Sequence, residues 1–288
     1  MTFRFLPLRR ARWAAAALAM TLAGCSLVSV AYNRLPTLAH WRLDGLLNLD
    51  RTQSAAVRAD LAQWHAWHRR QHLPQYAQTL ARWQVLAGAD VTAQQVCAEW
   101  PRLSGWLDEA GAQALPWLAR LAGGLTPAQL AHWQGRHAER LAEFRADFVA
   151  PAGEVAPRRL DKAVERLEML YGRTSPAQRD WLRQRLQRSA FDPERAVAER
   201  ERQHAVLLEA VRRIQAGAPA EAEARAAWAR WWQPPDSAQQ AQQAAWRADS
   251  CAFLAEWHQR TTPEQRHHAQ QKLQGFASDF TALAALGG

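Results

Sequence analysis

Apolar positions recur at steps of three and four along most of the chain. After Thr126 the series Leu130, Trp133, His137, Leu141, Phe144 and Phe148 traces one face of an α-helix. The same rhythm carries Leu160, Val164, Leu167 and Tyr171, then Val197, His204, Leu208 and Val211, and last Leu273, Phe276, Phe280 and Leu283. No segment alternates convincingly as a half-buried strand would, and no hairpin signal stands between two alternating runs. The pattern predicts an all-α protein, an elongated bundle of about nine or ten helices.

The helix starts are written clearly. Thr126-Pro127-Ala128-Gln129, Ser175-Pro176-Ala177-Gln178 and Thr262-Pro263-Glu264-Gln265 share one arrangement. A hydroxyl residue stands at the N-cap. Proline takes the first helical position, where its missing N–H costs nothing. Gln three residues after the cap can reach back to the cap N–H, as in a capping box. Looser versions occur at Asp50 to Gln53, Thr92 to Gln95 and Ser237 to Gln240. Breaks are expected at Pro74, Pro101, Gly123-Gly124, Pro151 to Pro157, Gly172, Asp192-Pro193, Gly217 to Pro219 and Pro234-Pro235. The recurrence of these starts hints at duplication. Their spacing is too uneven for a regular helical-repeat array.

The first residues break the pattern. Arg4, Arg9, Arg10 and Arg12 precede an apolar run from Trp13 to Leu22 that is too short to span a bilayer. The run ends in small residues, as a signal peptide does. Leu22-Ala23-Gly24-Cys25 resembles the lipobox of bacterial lipoproteins. That resemblance implies cleavage before Cys25, diacylglycerol on its sulfur and acylation of the new amine. Ser26 follows where an inner-membrane lipoprotein often carries Asp, which favours the outer membrane. Expected domains are a signal peptide over 1–24, a lipidated tether over 25–36, and a single helical domain over 37–288 with a candidate subdomain boundary at 151–157.

Composition refines this reading. The chain has 288 residues, 48% of them hydrophobic, enough for a sizeable core. Lys+Arg 36 against Asp+Glu 27 gives +9, and loss of the four leader arginines lowers that to +5. Export and the modest charge argue against nucleic acid. Anionic envelope components and periplasmic clients are the expected partners, with the membrane reached through the lipid anchor. Of the three cysteines, Cys25 is assigned to lipid. Cys97 and Cys251 remain as a candidate disulfide in an oxidising compartment.

Two resemblances extend the argument. Leu125-Thr126-Pro127-Ala128-Gln129 matches the LTxxQ motif of the Spy/CpxP-like periplasmic chaperones and stress adaptors. Thr261-Thr262-Pro263-Glu264-Gln265 departs from it at the leucine, and Thr174-Ser175-Pro176-Ala177-Gln178 at two positions. More broadly, the lipobox, Tyr32-Asn33-Arg34-Leu35-Pro36, Trp41-Arg42-Leu43-Asp44 and the repeated Thr-Pro-x-Gln starts resemble an uncharacterised family of proteobacterial helical lipoproteins. This second resemblance implies fold class and location and carries no activity.

Candidate chemistry is sparse. His65, His68 and His72 share one helical face and form a weak candidate for zinc or copper, with no carboxylate on that face. No Gly-x-Ser-x-Gly elbow, Walker loop, dinucleotide fingerprint or His-Glu-x-x-His occurs. No pair of carboxylates stands out for glycoside cleavage. There are 15 tryptophans. Trp228, Trp231 and Trp232 cluster with Arg230 and form a candidate surface for an anionic ligand or a client. The expectation is a non-catalytic binding, scaffolding or chaperone-like lipoprotein of the outer membrane, facing the periplasm, with no cofactor. The alternative is an enzyme acting on an envelope polymer, or a metal-binding lipoprotein.

Overall fold

The computed structural model describes residues 27–149 and 152–286, and every regular element among them is a helix. In chain order these are α1 (Leu27–Leu47), α2 (Arg51–Gln71), α3 (Leu73–Leu86), α4 (Ala93–Cys97), α5 (Trp100–Gly123) and α6 (Pro127–Phe148). Then follow α7 (Ala152–Tyr171), α8 (Pro176–Gln187), α9 (Pro193–Gln215), α10 (Ala220–Trp232), α11 (Ser237–His258) and α12 (Pro263–Ala285). The all-α bundle agrees with the periodicity, but twelve described helices exceed the expected nine or ten. The five-residue α4 is too short to show a period. The leader over 1–24 and Cys25 lie outside the described residues.

The segment expected to be a tether is helical from Leu27 onward, and Tyr32 within it is buried. Pro36 sits inside α1, where it removes the N–H that would bond the Tyr32 carbonyl four residues back. His65 of α2 supplies the missing partner: its Nε2 lies 3.0 Å from that carbonyl. A donor from a neighbouring helix lets α1 run through a residue that reads as a break. Pro157 likewise falls inside α7, so the helix begins before it.

Capping boxes form at Asp50/Gln53, Thr92/Gln95, Thr126/Gln129, Ser175/Gln178 and Thr262/Gln265. The sixth start is shifted by one residue. Asp236 rather than Ser237 caps α11, and it accepts the Gln239 N–H at 2.7 Å.

Four of the five boxes also meet in pairs. Gln53 Nε2 donates to Gly124 O at 2.8 Å while Gln129 Nε2 donates to Asn48 O at 3.0 Å. The two amides also bond each other, Gln129 Nε2 to Gln53 Oε1 at 2.6 Å. The second pair repeats the arrangement: Gln178 Nε2 reaches Arg260 O at 2.8 Å, Gln265 Nε2 reaches Arg173 O at 2.9 Å, and the amides meet at 2.8 Å. Every carbonyl reached stands two residues before the partner's cap. Each glutamine oxygen accepts its own cap N–H and its partner's amide, so every polar capacity of the side chain is used. These clasps tie the α1–α2 turn to the α5–α6 turn, and the α7–α8 turn to the α11–α12 turn.

The clasps reveal a pseudo-two-fold relation between α1–α6 and α7–α12. α1 packs on α6 as α7 packs on α12, and α6 on α7 as α12 on α1. The middle helices cross over: α3 and α4 pack on α12 and α11, while α9 and α10 pack on α6 and α5. The core follows this exchange. Leu47, Leu125 and Trp133 of the first half enclose Leu208 and Val211 of α9, and Leu73 of α3 packs with Leu283 of α12.

Candidate functional site

His65, His68 and His72 do lie together, and all three are buried. Their nitrogens, however, are turned toward tyrosines and one carboxylate. Tyr32 Oη lies 2.9 Å from His68 Nδ1, and His68 Nε2 lies 3.2 Å from Tyr76 Oη. Tyr76 Oη is 3.1 Å from His72 Nδ1, and His72 Nε2 is 3.2 Å from Glu109. An ionised Glu109 can only accept, which sets one direction throughout: Tyr32 donates to His68, His68 to Tyr76, Tyr76 to His72, and His72 points its proton at Glu109. Burial pushes the His68 pKa down to about 4, helped by the charges of His72 and His65. Burial likewise pushes Tyr32 and Tyr76 up to about 12. Among the described residues no group of three or more His, Cys, Asp and Glu side chains could hold a metal ion. These histidines bind α1, α2, α3 and α5 to one another.

A cleft of about 670 Å³ opens where α5, α9, α10 and α11 come together with the 190–192 turn. Four indoles line it: Trp100, Trp231, Trp232 and Trp246. Trp100, Trp232 and Trp246 are each more than 40% exposed, as is Leu107 beside them. Exposed indoles grouped around one concavity have the makeup of a candidate binding surface. Between them stand Asp108, Arg247, Gln239 and Gln243, whose side chains make no hydrogen bond or ion pair within the described residues. Arg200 lies over the Phe144 ring and donates to the Ala196 carbonyl at 3.0 Å, and both remaining acids are paired. Asp192 caps α9 and pairs with Arg195, and Glu199 is bound by Arg202 at 2.6 Å.

Local structure explains why the rings stand where they do. Trp231 stacks on Trp228 at 5.8 Å, and Trp232 meets Trp231 edge-on at 4.6 Å. Arg202 donates to Arg230 O and Trp231 O at 2.9 Å each, which closes the C-terminus of α10. Trp228 itself packs onto α5 over Gly111, where a Cβ would come within 2.2 Å of the indole. The 190–192 turn is held by Asp249, which accepts from Ala190 N at 2.9 Å and Arg185 Nη2 at 2.7 Å. Burial would raise the Asp249 pKa, but the Ala190 and Arg185 contacts outweigh it and leave the carboxyl below its usual range.

Cys97 and Cys251 are joined, with Cα atoms 5.5 Å apart. The bond fastens α4 to α11, three residues before Trp100 and one turn beyond Trp246 and Arg247. Two walls of the cleft are thereby fixed to each other.

Of the four residues expected to form a binding surface, Trp231 and Trp232 line the cleft. Trp228 braces them from behind, and Arg230 turns away to Glu223 at 2.7 Å. Trp100, Trp246, Arg247, Asp108 and the glutamines were not singled out by the sequence. The Trp246-Arg247 pair repeats the Trp/Arg adjacency of the α10 cluster, and that was the signal available for them.

No curated protein and no solved structure matches the chain. One family model does match, over a stretch that contains the whole first clasp and Gln178 but ends before Gln265, Trp231 and Trp246. By that match, which runs over residues 45–223, the chain belongs to a family of unknown function (DUF6279).

Proposed function

We propose that this is a lipid-anchored protein of the cell envelope, in the outer membrane and facing the periplasm, that holds unfolded or extended polypeptide segments in the cleft between α5, α9, α10 and α11. The observation that carries this reading is the set of four indoles around one cleft, with Asp108, Arg247, Gln239 and Gln243 left without partners among them. Indoles take up apolar side chains, and glutamine amides match the donors and acceptors of a peptide backbone. The acidic and basic groups of the cleft nearly balance, which suits a largely neutral ligand. The lipobox-like Leu22-Ala23-Gly24-Cys25 supports the location, and the LTxxQ-like starts support the chaperone comparison.

The second reading is an enzyme acting on an envelope polymer. Glycoside cleavage requires two carboxylates facing one bond. Asp192 and Glu199 are engaged with arginines, which leaves Asp108 alone and favours binding over hydrolysis.

The test is suppression of aggregation. Mature protein is expected to slow aggregation of a reduced, unfolding client such as lysozyme, and a Trp100→Ala/Trp232→Ala/Trp246→Ala variant is expected to lose most of that effect while keeping its helicity. No suppression at any salt concentration, or equal suppression by the variant, overturns the reading. Calorimetric binding of envelope glycan fragments with no effect on clients would transfer the cleft to the polymer reading.

A further inference from the structure

The outward face of α1 gathers exposed apolar side chains and two arginines. Leu27, Val30, Arg34, Leu38, Trp41 and Arg42 fall on one side of this helix and are all exposed. Leu27 is 84% exposed, Val30 48%, Leu38 53% and Trp41 69%. The opposite side carries Tyr32, His40 and Leu47, which are buried. The only acid in α1 is Asp44, and its carboxylate accepts the Leu49 N–H at the helix end. Arg34 and Arg42 have no carboxylate partner among the described residues. Arg42 lies close enough to Arg140 of α6 that their charges repel, so the basic character extends onto the next helix.

We propose that this face of α1 lies on an anionic lipid surface and forms a second attachment beside the acyl chains. The proposal rests on the anchor of the preceding reading, and chain geometry connects the two. Only Ser26 separates Cys25 from the first residue of α1. Two residues span at most about 7 Å, so acyl chains at Cys25 hold the first turn of α1 at the bilayer. Leu and Trp side chains with interspersed Arg are the makeup of a helix that lies in the headgroup layer. No described helix is long and apolar enough to cross a membrane. An in-plane helix is the form of contact that this exposed apolar face, with its two arginines, supports.

The experiment uses the mature chain with Cys25→Ser, which carries no lipid, and vesicles of phosphatidylethanolamine with phosphatidylglycerol. Co-sedimentation is expected, at least tenfold weaker for Leu38→Glu/Trp41→Glu and weaker for the parent at high salt. Both substituted side chains point to solvent, so the melting temperature and far-ultraviolet circular dichroism of the variant should match the parent. Absence of vesicle binding by the parent, or equal binding by the variant, overturns the proposal. So does dimerisation through Leu38 and Trp41 without vesicle binding, which would give the face to a second copy. Mass spectrometry of the native protein tests the anchor separately. An unacylated Cys25 with vesicle binding intact refutes the anchor alone, and acylation without face-dependent binding refutes the surface alone.

Discussion

At the scale of residues, the buried histidines carry the clearest consequence. His68 is held down to about 4 by burial first and then by His72 and His65. His204, stacked on His137 at 3.9 Å, is held down to about 4 by burial first and then by that neighbour. A histidine in the unfolded chain takes its proton near pH 6.5, before the folded one does. The stability these residues contribute is therefore fully present above about pH 6.5 and is lost as pH falls toward about 4. Asp249 and Glu168, both depressed below their usual values, act in a lower window. Urea unfolding at pH 7.5 and at pH 4.5 should differ by roughly 2–4 kcal/mol. A flat profile over that range would contradict the assignment. The sequence placed His65, His68 and His72 on one face. It could not say that Tyr32 and Tyr76, from outside α2, would occupy their nitrogens, because that depends on how α1 and α3 lie across α2.

At the scale of elements, helix starts were legible and their partners were not. Five capping boxes follow from residue types three apart, which is local chemistry. The bonds from Gln53 to Gly124 and from Gln178 to Arg260 join positions 71 and 82 residues apart. No local rule supplies them. α10 and α5 illustrate the same divide. Gly111 would read as a helix defect that alanine should repair by up to about 1 kcal/mol. The Trp228 ring against it reverses the sign. Gly111→Ala is expected to destabilise by about 1–3 kcal/mol, the usual range for overpacking, and to shift Trp fluorescence. Gly135 of α6 has nothing within 4 Å of an added Cβ, so Gly135→Ala should stabilise. Chemical denaturation of the two variants together checks both signs.

At the scale of the whole molecule, the disulfide links the two halves. It closes a separation of 154 residues and attaches α4 of the first half to α11 of the second. In the chain-entropy account a loop of that length corresponds to roughly 4–5 kcal/mol, an upper figure. The Cys97→Ser/Cys251→Ser protein should melt well below the oxidised parent, and reducing agent should lower the parent but not the variant. Weaker holding of clients by the variant would follow from the loosened wall at Trp100 and Trp246. Uneven spacing between helix starts concealed the pseudo-two-fold relation in the sequence. The regularity lies in which turns meet, and the exchange of helices between halves leaves no mark on any local pattern.

That exchange bears on how such a chain can be divided. A fragment ending between α6 and α7 would keep α3 but lose α12, the helix that covers it, and would expose the side of α6 on which α9 rests. Two such fragments complete each other only by trading their middle segments, as swapped homodimers do. Covalent continuity makes that trade intramolecular. The protein is in effect a mutual embrace whose strength does not depend on how many copies the cell makes.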